Sequence, residues 1–544
     1  MPASTPIDPL EGPKQALAGR VVTMRDDYEV VDDGVVWMEE GAIVAVGRRK
    51  DDPPAGFEDV KPVATGGTIF PGLIELHNHL AYNALRLWHV PKLFTNRDQW
   101  GGVPDYRKLI SGPMQVLGPS ETLMPAVVRY VECKALVGGT TTSQGIELFS
   151  NAGARRYYRG IVRNVENTDD PELPDAEAKI SDVVATSARR FLERLRQRKC
   201  FILHLSEGTD DAARTHFLAL KLGRRWAITD SLAGIHCAAL KPEDFKVMGR
   251  RHASMVWSPL SNLLLYGHTA GVKSARAAGL RIGLGSDWSP TGSKNLLGEL
   301  KVAKLVSDEE SVFDHDRELV ALVTREAARI LRWDESLGTI EAPKRADLIV
   351  VDGASDDPYD ALLHADERKL RLVMIGGVPR FGVPSLLKRL GAPGEEITIG
   401  GRKRALNLKQ QTADPVVGEL GLAEARDRLS DALANLKELR RQQEQQGVRG
   451  FATAFDGEPL RWALALDELR PTGVELRPRL SFRRKRTGPS LAEPRAAGPP
   501  LSEILEPLKL DPLTVADDHD FLDTIDSEPN LPGYVAPGLR ALYT

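Results

Sequence analysis

The sequence predicts an α/β protein built around a TIM-like (β/α)8 barrel over residues 68–335. Short apolar, β-prone runs alternate with helical patterns from about Phe70 onward, which indicates a parallel sheet covered on both faces. Polar groups able to bind a metal stand where several of these runs end, at the edge where barrel enzymes carry their chemistry. The early strands lack the glycine-rich turn of a dinucleotide-binding fold. We therefore favour the barrel over a Rossmann fold.

Strand-like segments lie on both sides of the predicted barrel. Residues 1–67 include GRVVTM and GAIVAVGRR, and residues 336–395 include ADLIVVDG and LRLVMIGGVPRFG. Gly, Asp and Pro turns separate these runs, as is typical of short strands. We expect the two flanks to form one small composite β-sandwich. Residues 396–544 are expected to form a helical and irregular extension and tail, with an amphipathic helix over 418–446.

Composition is that of an ordinary globular protein. The 544 residues are 42% hydrophobic and 27% charged, and 72 basic against 76 acidic residues give a net charge of −4. This balance argues against nucleic acid or an anionic membrane as a partner. The chain has no signal-peptide pattern and no apolar stretch approaching 18 residues, and its three cysteines form no C-x-x-C pair. We expect a cytoplasmic homo-oligomer that binds a small-molecule substrate.

Four separated groups of residues can be interpreted as one metal site. They are His77-Asn78-His79, His204 to Glu207, His236, and Ser286-Asp287, and each follows a short apolar run. Strand residues i and i+2 point to the same side, roughly 6.5–7 Å apart. His77 and His79 can therefore aim two imidazole nitrogens at one ion.

The same motifs, taken in order, resemble those of the amidohydrolase superfamily, in its deaminase and triazine-hydrolase-like branch. The resemblance covers about residues 18–385 and rests on PGLIELHNH from Pro71, then HLSE, IHC, SPLSN, GLGSD and KRADLIVVD. It implies a barrel with a composite β-sandwich and a metal centre at the carboxyl ends of the strands. Carried over by position, the ligands of one divalent ion would be His77, His79, His204 and Asp287. His236 would lie beside the ion, and Glu207 would be the proton shuttle.

Elementary chemistry agrees with this assignment. Three imidazoles and one carboxylate suit zinc, with iron as the alternative, and leave a position open for water. Such an ion lowers the pKa of its water from 15.7 toward about 7. Glu207, as an unbonded carboxylate in a water-poor pocket, would have a raised pKa suited to moving a proton to the leaving nitrogen. Asp287 can accept a hydrogen bond from the water, and His236 can hydrogen-bond the nucleophile or the developing oxyanion.

Simpler interpretations exist for some of these residues. Glu207 could merely cap a helix beginning near Thr209, and a single histidine such as His236 is often just a hydrogen-bonded core residue. Related two-metal enzymes bridge their ions with a carboxylated lysine on a middle strand. Here that strand, from Thr140 to Glu147, contains no lysine. A mononuclear centre follows, although Glu147 could recruit a second ion.

The substrate pocket is expected beneath the long aromatic segment that follows His79, because loops after barrel strands build the active face. Candidate substrate contacts lie at or after strand ends or in this segment: Trp257, Asn262, Tyr266, Trp288, Tyr82 and Asn83. Related deaminases often carry a histidine or cysteine where this chain has Trp257-Ser258. No particular purine or pyrimidine specificity is therefore transferred.

The sequence thus predicts a metal-dependent hydrolase of carbon–nitrogen bonds other than peptide bonds. It would deaminate an amino-substituted N-heterocycle or open a cyclic amide by means of metal-bound hydroxide. The alternative within enzymes is an amide hydrolase acting on a peptide-like or natural-product substrate. The alternative from another class is an inactive barrel that serves as a scaffold, and the retention of four ligands together with Glu207 argues against it.

Overall fold

The computed structural model describes residues 12–353, 355–445, 460–466 and 499–543, so residues 446–459, 467–498 and 544 of the predicted tail lie outside these ranges. The strands are β1 Gln15–Val22, β2 Val30–Glu39, β3 Ala42–Arg48, β4 Val63–Pro71, β5 Leu73–Ile74, β6 Thr140–Ser143, β7 Glu147–Ser150, β8 Arg155–Tyr157, β9 Arg163–Asn164, β10 Glu177–Lys179, β11 Phe201–Leu205, β12 Lys221–Leu222, β13 Arg225–Trp226, β14 Leu232–His236, β15 Ser254–Trp257, β16 Arg281–Leu284, β17 Leu348–Val351, β18 Leu370–Ile375, β19 Val378–Gly382, β20 Glu395–Ile399, β21 Arg402–Leu406 and β22 Trp462–Leu464.

The α-helices are α1 Arg97–Trp100, α2 Pro104–Tyr106, α3 Gly112–Leu117, α4 Met124–Val137, α5 Ala188–Gln197, α6 Asp211–Leu218, α7 Pro242–Gly249, α8 Pro259–Tyr266, α9 Val272–Ala277, α10 Leu296–Glu310, α11 Asp316–Ala321, α12 Arg325–Leu331, α13 Pro358–Leu363, α14 Pro384–Arg389, α15 Leu422–Ala434, α16 Leu436–Gln445, α17 Leu501–Ile504, α18 Phe521–Ser527 and α19 Val535–Tyr543. The predicted α/β class is confirmed. No helix in the described ranges is both long and apolar enough to span a bilayer.

Strands from both flanks of the central region belong to one nine-stranded sheet. Its order is β20-β21-β19-β18-β17-β4-β1-β2-β3. The two flanks meet where β17 runs antiparallel to β4, with Ile349 opposite Phe70. Both residues are fully buried, because strands in the middle of a sheet pack on both sides.

The central region contains two parallel sheets, with strand orders β10-β11-β14-β15-β16 and β5-β6-β9. Strands β11 and β14 are buried along their whole length, which explains why they appear in the sequence as unbroken apolar runs. Two backbone hydrogen bonds join residues that lie in, or next to, the strands of the two sheets. The N–H of Leu76 donates to the carbonyl of Leu284 (3.3 Å), and the N–H of Ala176 donates to that of Val165 (2.8 Å).

The carboxyl ends of these parallel strands lie together. Strand β11 pairs with β14 so that Leu205 stands opposite His236. After β5 and β16, Asn78 forms an isolated parallel bridge with Asp287. Segments far apart in the sequence are therefore held side by side by backbone pairing, before any side-chain contact is considered.

The amphipathic helix predicted over 418–446 is two helices, α15 and α16. Its predicted apolar positions are buried at Leu422, Ala425, Leu429, Leu433 and Leu436, and α15 packs against α4. The break falls at Asn435, whose φ of −119° and ψ of 21° are not helical. Asparagine is a weak helix former whose side chain bonds nearby backbone, here the carbonyl of Asp431 at 2.8 Å.

Candidate metal centre

The four histidines selected from the sequence meet at the carboxyl ends of the parallel strands. The centre of the His77 ring lies 4.9 Å from that of His79, 4.6 Å from that of His204 and 5.3 Å from that of His236. Strand alternation gives His77 and His79 a common side, and the pairing of β11 with β14 brings in the other two. The four imidazoles therefore form one cluster.

Asp287 joins this cluster through its backbone and its side chain. Its N–H donates to the carbonyl of His77 (3.0 Å), and its carbonyl accepts the N–H of His79 (2.6 Å). Its Oδ1 lies 3.1 Å from Nε2 of His77 and 3.5 Å from Nε2 of His79. A carboxylate thus stands among buried imidazoles.

A hydrogen bond to Gln144 fixes which nitrogen of His77 carries the proton. Nδ1 of His77 lies 2.9 Å from Oε1 of Gln144, which also accepts the N–H of Asn78 at 3.0 Å. An amide oxygen only accepts, so Nδ1 is protonated and Nε2 presents a lone pair. Metal-binding histidines are commonly oriented in this way by a partner on their other nitrogen. The lone pair and the Asp287 carboxylate would repel each other without a cation between them.

The unsatisfied ring nitrogens also fit a metal. Nε2 of His77 and Nδ1 of His204 are buried and have no hydrogen-bond partner within the described part of the chain. Burial lowers the pKa of His204 well below its ordinary value, so its imidazole is neutral, the form that binds metals. Two overlapping groups have potential ligand atoms all within 4.8 Å of one another: His77, His204 and His236, and His77, His79 and Asp287. This donor set suits zinc.

Glu207 lies beside the histidines and is held by Tyr266. The Tyr266 hydroxyl donates to Oε1 of Glu207 (2.8 Å) and accepts the indole N–H of Trp100 (3.0 Å). The expectation of an unbonded carboxylate was therefore wrong. Burial nevertheless raises the pKa of Glu207, while the nearby Arg97 guanidinium opposes the rise. Oε2 of Glu207 lies 3.7 Å from Nε2 of His236.

The alternative that Glu207 caps the following helix is wrong. Helix α6 begins at Asp211, and the side chain of Asp210 caps it by accepting the N–H of Ala213. Glu207 is 4% exposed. Its carboxylate lies in the cluster and does not bond the amide groups of α6 in any contact the structure shows.

Asn262, selected from the sequence as a substrate contact, bonds His236. Its Nδ2 lies 3.1 Å from Nδ1 of His236. An amide nitrogen only donates, so Nδ1 accepts and Nε2 of His236 carries the proton. Burial lowers the pKa of His236 to about 3, which keeps the ring neutral. His236 is thus a neutral donor whose N–H points into the cluster.

The backbone is left-handed where the chain leaves the strands. Ser206, His236, Cys237 and Asp287 have φ values of 52°, 62°, 54° and 64°. Such conformations cost non-glycine residues about 1–3 kcal/mol each and concentrate at functional sites. Here they turn the chain sharply at the ends of β11 and β14 and after β16, where the clustered side chains are.

The remaining substrate candidates fall into two groups. Trp257 is fully buried and its indole N–H donates to Thr269 (2.7 Å), and Asn83 bonds Asn78 and Ser289. Both are interior residues away from an open surface. Trp288 lies against the cluster, with its ring 5.8 Å from that of His79, and Tyr82 packs on Trp288 at 5.2 Å.

The aromatic segment after His79 packs on Trp288 beside the cluster. Trp100 and Tyr106 lie 5.9 and 6.3 Å from the Trp288 ring, and each is less than a tenth exposed. These distances are typical of packed aromatic pairs. The segment thus forms an aromatic roof that packs on Trp288, whose ring contacts His79.

Sequence reasoning missed Gln144, which orients His77. Gln144 follows β6 directly, so the rule that found the ligands, polar residues at the ends of buried strands, could also have found it. Glu147, considered for a second ion, pairs with Arg155 at 2.7 Å on β8. Lys134, a lysine shortly before β6 in the chain, lies on α4 and not on that strand.

Residues 204–379 match the model of the amidohydrolase family. The chain therefore carries an amidohydrolase-family domain, and the resemblance drawn from the sequence motifs is confirmed. The prediction of a hydrolase acting on carbon–nitrogen bonds other than peptide bonds is confirmed with it.

Curated relatives are similar over most of their own length. The chain is 24% identical over 377 residues to a 5-methylthioadenosine/S-adenosylhomocysteine deaminase of Symbiobacterium thermophilum, covering 61% of this chain and 84% of that enzyme. It is 26% identical over 386 residues to the enzyme of the same name from Syntrophobacter fumaroxidans, covering 61% and 83%.

Solved structures share the fold. A zinc-complexed atrazine chlorohydrolase from Arthrobacter aurescens matches with a TM-score of 0.53 and 18% identity, over 76% of this chain and 99% of that one. The guanine deaminase of E. coli matches with a TM-score of 0.50 and 15% identity, over 68% and 99%.

Proposed function

We propose that this chain is a metal-dependent deaminase, which hydrolyses the bond between a ring carbon and the amino group of an N-heterocycle. The observation that carries the proposal is the lone pair of His77 directed at the Asp287 carboxylate, with Glu207 and His236 beside them. The relatives support an amino-heterocycle over a cyclic amide, because the substrates in their names are adenosine derivatives with a ring amino group.

The residues that would hold the ion are His77, His79, His204 and Asp287. We propose one ion, because the chain offers Gln144 rather than a lysine at the end of β6 and because Glu147 is paired with Arg155. Zinc is favoured by the nitrogen and oxygen donors and by the zinc in a structural neighbour. When bound, the ion supplies a water whose pKa is lowered toward about 7.

Glu207 moves the proton in the proposed reaction. Its carboxylate takes a proton from the attacking water and delivers it to the departing nitrogen, as a C–O bond forms, the C–N bond breaks and ammonia leaves. A raised pKa brings a carboxyl closer to the operating pH, which favours both halves of this transfer. Tyr266 holds Oε1 of Glu207, which leaves Oε2 for the proton.

His236 donates a hydrogen bond in the same step. Asn262 fixes the tautomer that carries the proton on Nε2, so this N–H can stabilise negative charge developing on the attacked ring. A preorganised donor of this kind typically contributes about 10²–10³ in rate.

The architecture we propose around this site is the closed (β/α)8 barrel over residues 68–335. The hydrogen bonds from Leu76 to Leu284 and from Ala176 to Val165 support it, because they join the two parallel sheets at both gaps. Residues 1–67 and 336–395 would form the composite β-sandwich, and residues 396–544 the extension.

Ammonia release by the purified full-length protein tests the function. The panel contains adenine nucleosides and amino-triazines, followed by ammonia release, and cyclic amides and peptide amides, followed by the carboxylate and amine that hydrolysis forms, with metal content measured in parallel. We expect ammonia from an amino-heterocycle and a loss of about 10²–10⁴ in kcat for Glu207→Gln, with metal retained. Glu147→Gln is the matched control and should keep full activity. Turnover of peptide amides alone would instead favour the amide hydrolase.

A further inference from the structure

Two buried lysines form ion pairs with carboxylates of the C-terminal segment, residues 499–543. Lys134 on α4 and Lys294 before α10 both contact the carboxylate of Asp511, and Lys294 also pairs with Asp518 at 2.7 Å. All four side chains are less than a tenth exposed. Burying two ammonium groups side by side is costly unless each is paired. Asp511 supplies that pairing to both from a position far along the chain.

Asp511 is itself firmly placed. Its N–H donates to the carbonyl of Ala84 (3.0 Å), and its carbonyl accepts the hydroxyl of Tyr130 (2.5 Å). Burial raises the pKa of its carboxyl, but Lys134 and Lys294 more than offset that and hold the pKa below its ordinary value. Asp511 is therefore a charged group that both its own backbone and the two lysines hold in place.

Hydrogen bonds of Lys134 connect Asp511 to residues beside the candidate metal centre. Its Nζ donates to the hydroxyl of Ser289 (2.8 Å) and to the carbonyl of Asn83 (2.9 Å). The side chain of Asn83 accepts the N–H of Ser289 (2.8 Å) and donates to Oδ1 of Asn78 (3.0 Å).

Asn78 lies between His77 and His79, and its Nδ2 donates to Ser286 (3.1 Å), the residue before Asp287. Three of the four ligand candidates thus adjoin residues of this network.

A second contact joins the same segment to the residues around Glu207. Nδ2 of Asn530 donates to the carbonyl of Val90 in the aromatic roof (3.3 Å) and to that of Leu264 (3.1 Å). Leu264 belongs to α8, which also carries Asn262 and Tyr266. The segment therefore touches both groups of residues that orient the site.

We propose that Asp511 is a positioning residue for the metal centre, acting through Lys134 and the hydrogen bonds of Ser289, Asn83 and Asn78. The inference rests on the proposed function only in taking the cluster as the active site. The family match ends at residue 379, so this role belongs to a part of the chain outside the matched domain. Without the carboxylate, the two ammonium groups would separate and carry Ser289 and Asn83 with them.

Cobalt binding to the full-length protein tests the role of Asp511 without any substrate. Co²⁺ affinity is measured by competition with a chromophoric chelator, and the Co²⁺ absorption spectrum reports the coordination geometry. We expect Asp511→Asn to weaken Co²⁺ binding about 10–100-fold, as is typical when a residue supporting metal ligands is lost. The double variant that combines Asp511→Asn with Lys134→Met should bind Co²⁺ about as well as the single variant with the lower Co²⁺ affinity. The two losses should not add, because both changes break the same path.

Asp414→Asn is the matched control. Asp414 is also a fully buried carboxylate, paired with both terminal nitrogens of Arg156 (2.5 and 2.8 Å), and no contact shown links it to the histidines. The Asp414→Asn variant should lose stability but keep its Co²⁺ affinity within about twofold of the wild type. That change is much smaller than the loss expected for Asp511→Asn.

Equal losses in Asp414→Asn and Asp511→Asn, or unchanged Co²⁺ binding in folded Asp511→Asn, would overturn the proposal. If Asp511→Asn does not fold, Asn83→Ala removes the side chain that joins Ser289 to Asn78 on the same path. This variant must weaken Co²⁺ binding, and unchanged binding there overturns the proposal equally. An absence of ammonia release with Co²⁺ binding weakened as expected would refute the proposed function and leave this inference standing.

Discussion

The hydroxyl of Tyr266 donates a hydrogen bond to Oε1 of Glu207 and accepts one from the indole of Trp100. The carboxylate proposed to move protons is therefore tied to the aromatic roof. A substrate that displaces the roof would also disturb Glu207, so binding and proton transfer are structurally linked.

Removing this hydroxyl should slow the reaction. A hydrogen bond to a charged group is worth about 1.5–3 kcal/mol, so we expect Tyr266→Phe to lower kcat roughly 10–100-fold with metal retained. Because the bond favours the ionised form, its loss raises the pKa of Glu207 further, and the acid limb of kcat/KM against pH moves to higher pH. Tyr359→Phe, whose hydroxyl bonds only the carbonyl of Tyr28 among the contacts shown, is the control. An unmoved acid limb would contradict the role of Tyr266.

Metal removal should destabilise the protein through the cluster. An ion present at 100 times its Kd stabilises the folded state by about 2.7 kcal/mol, so we expect chelation to lower the melting temperature. His204→Ala should lose metal on purification, and chelator should then have no further effect on its melting temperature. Full metal occupancy in this variant would remove His204 from the ligand set.

The tautomer of His236 can be reversed through Asn262. An aspartate at this position accepts a hydrogen bond instead of donating one, so Nδ1 of His236 becomes protonated and Nε2 loses its hydrogen. We expect Asn262→Asp to lower kcat about 10²–10³-fold, as for loss of one preorganised donor, with metal content unchanged. Steady-state kinetics beside metal analysis would show it, and an unchanged kcat would mean that His236 does not act as a donor.

Two tryptophans selected together from the sequence should behave differently. Trp288 packs against His79, and we expect Trp288→Ala to raise KM roughly tenfold, about the value of one lost aromatic contact. Trp257 is an interior residue, and Trp257→Ala should instead cost about 3–5 kcal/mol in the free energy of unfolding. Steady-state kinetics and denaturant unfolding of both variants test this contrast. A rise in KM for Trp257→Ala, with none for Trp288→Ala, would contradict it.

Glu299 gives the stability a pH dependence. It is fully buried on α10, its Oε1 accepts the N–H of Leu260 (3.0 Å), and burial raises its pKa to about 8. The folded state therefore keeps a proton that the unfolded state releases above pH 4.5, so stability is full at low pH and falls as pH rises toward 8. Glu299→Gln should reduce the loss in unfolding free energy between pH 5 and pH 8. If the unfolding free energy falls equally in wild type and variant between pH 5 and pH 8, Glu299 is not the source of the pH dependence.

Much of the site could be predicted from the sequence because its signals are local. The spacing of His77 and His79, and the position of His204, His236 and Asp287 at or just beyond buried strands, follow from the period of a strand and the polarity of a parallel sheet. The buried positions of α15, such as Leu429 and Leu433, follow equally from the period of a helix.

The neighbours that bond and orient these residues were decided by the tertiary structure alone. Tyr266 is 59 residues from Glu207, and Asp511 is 377 residues from Lys134, so no local pattern joins them. The same holds for Asn262, which the sequence offered as a substrate contact and the fold directs at His236. Local periodicity determined which residues the strands present at this edge. Long-range packing decided which tautomer, charge and orientation each of them has, because those depend on neighbours that only folding brings within hydrogen-bond distance.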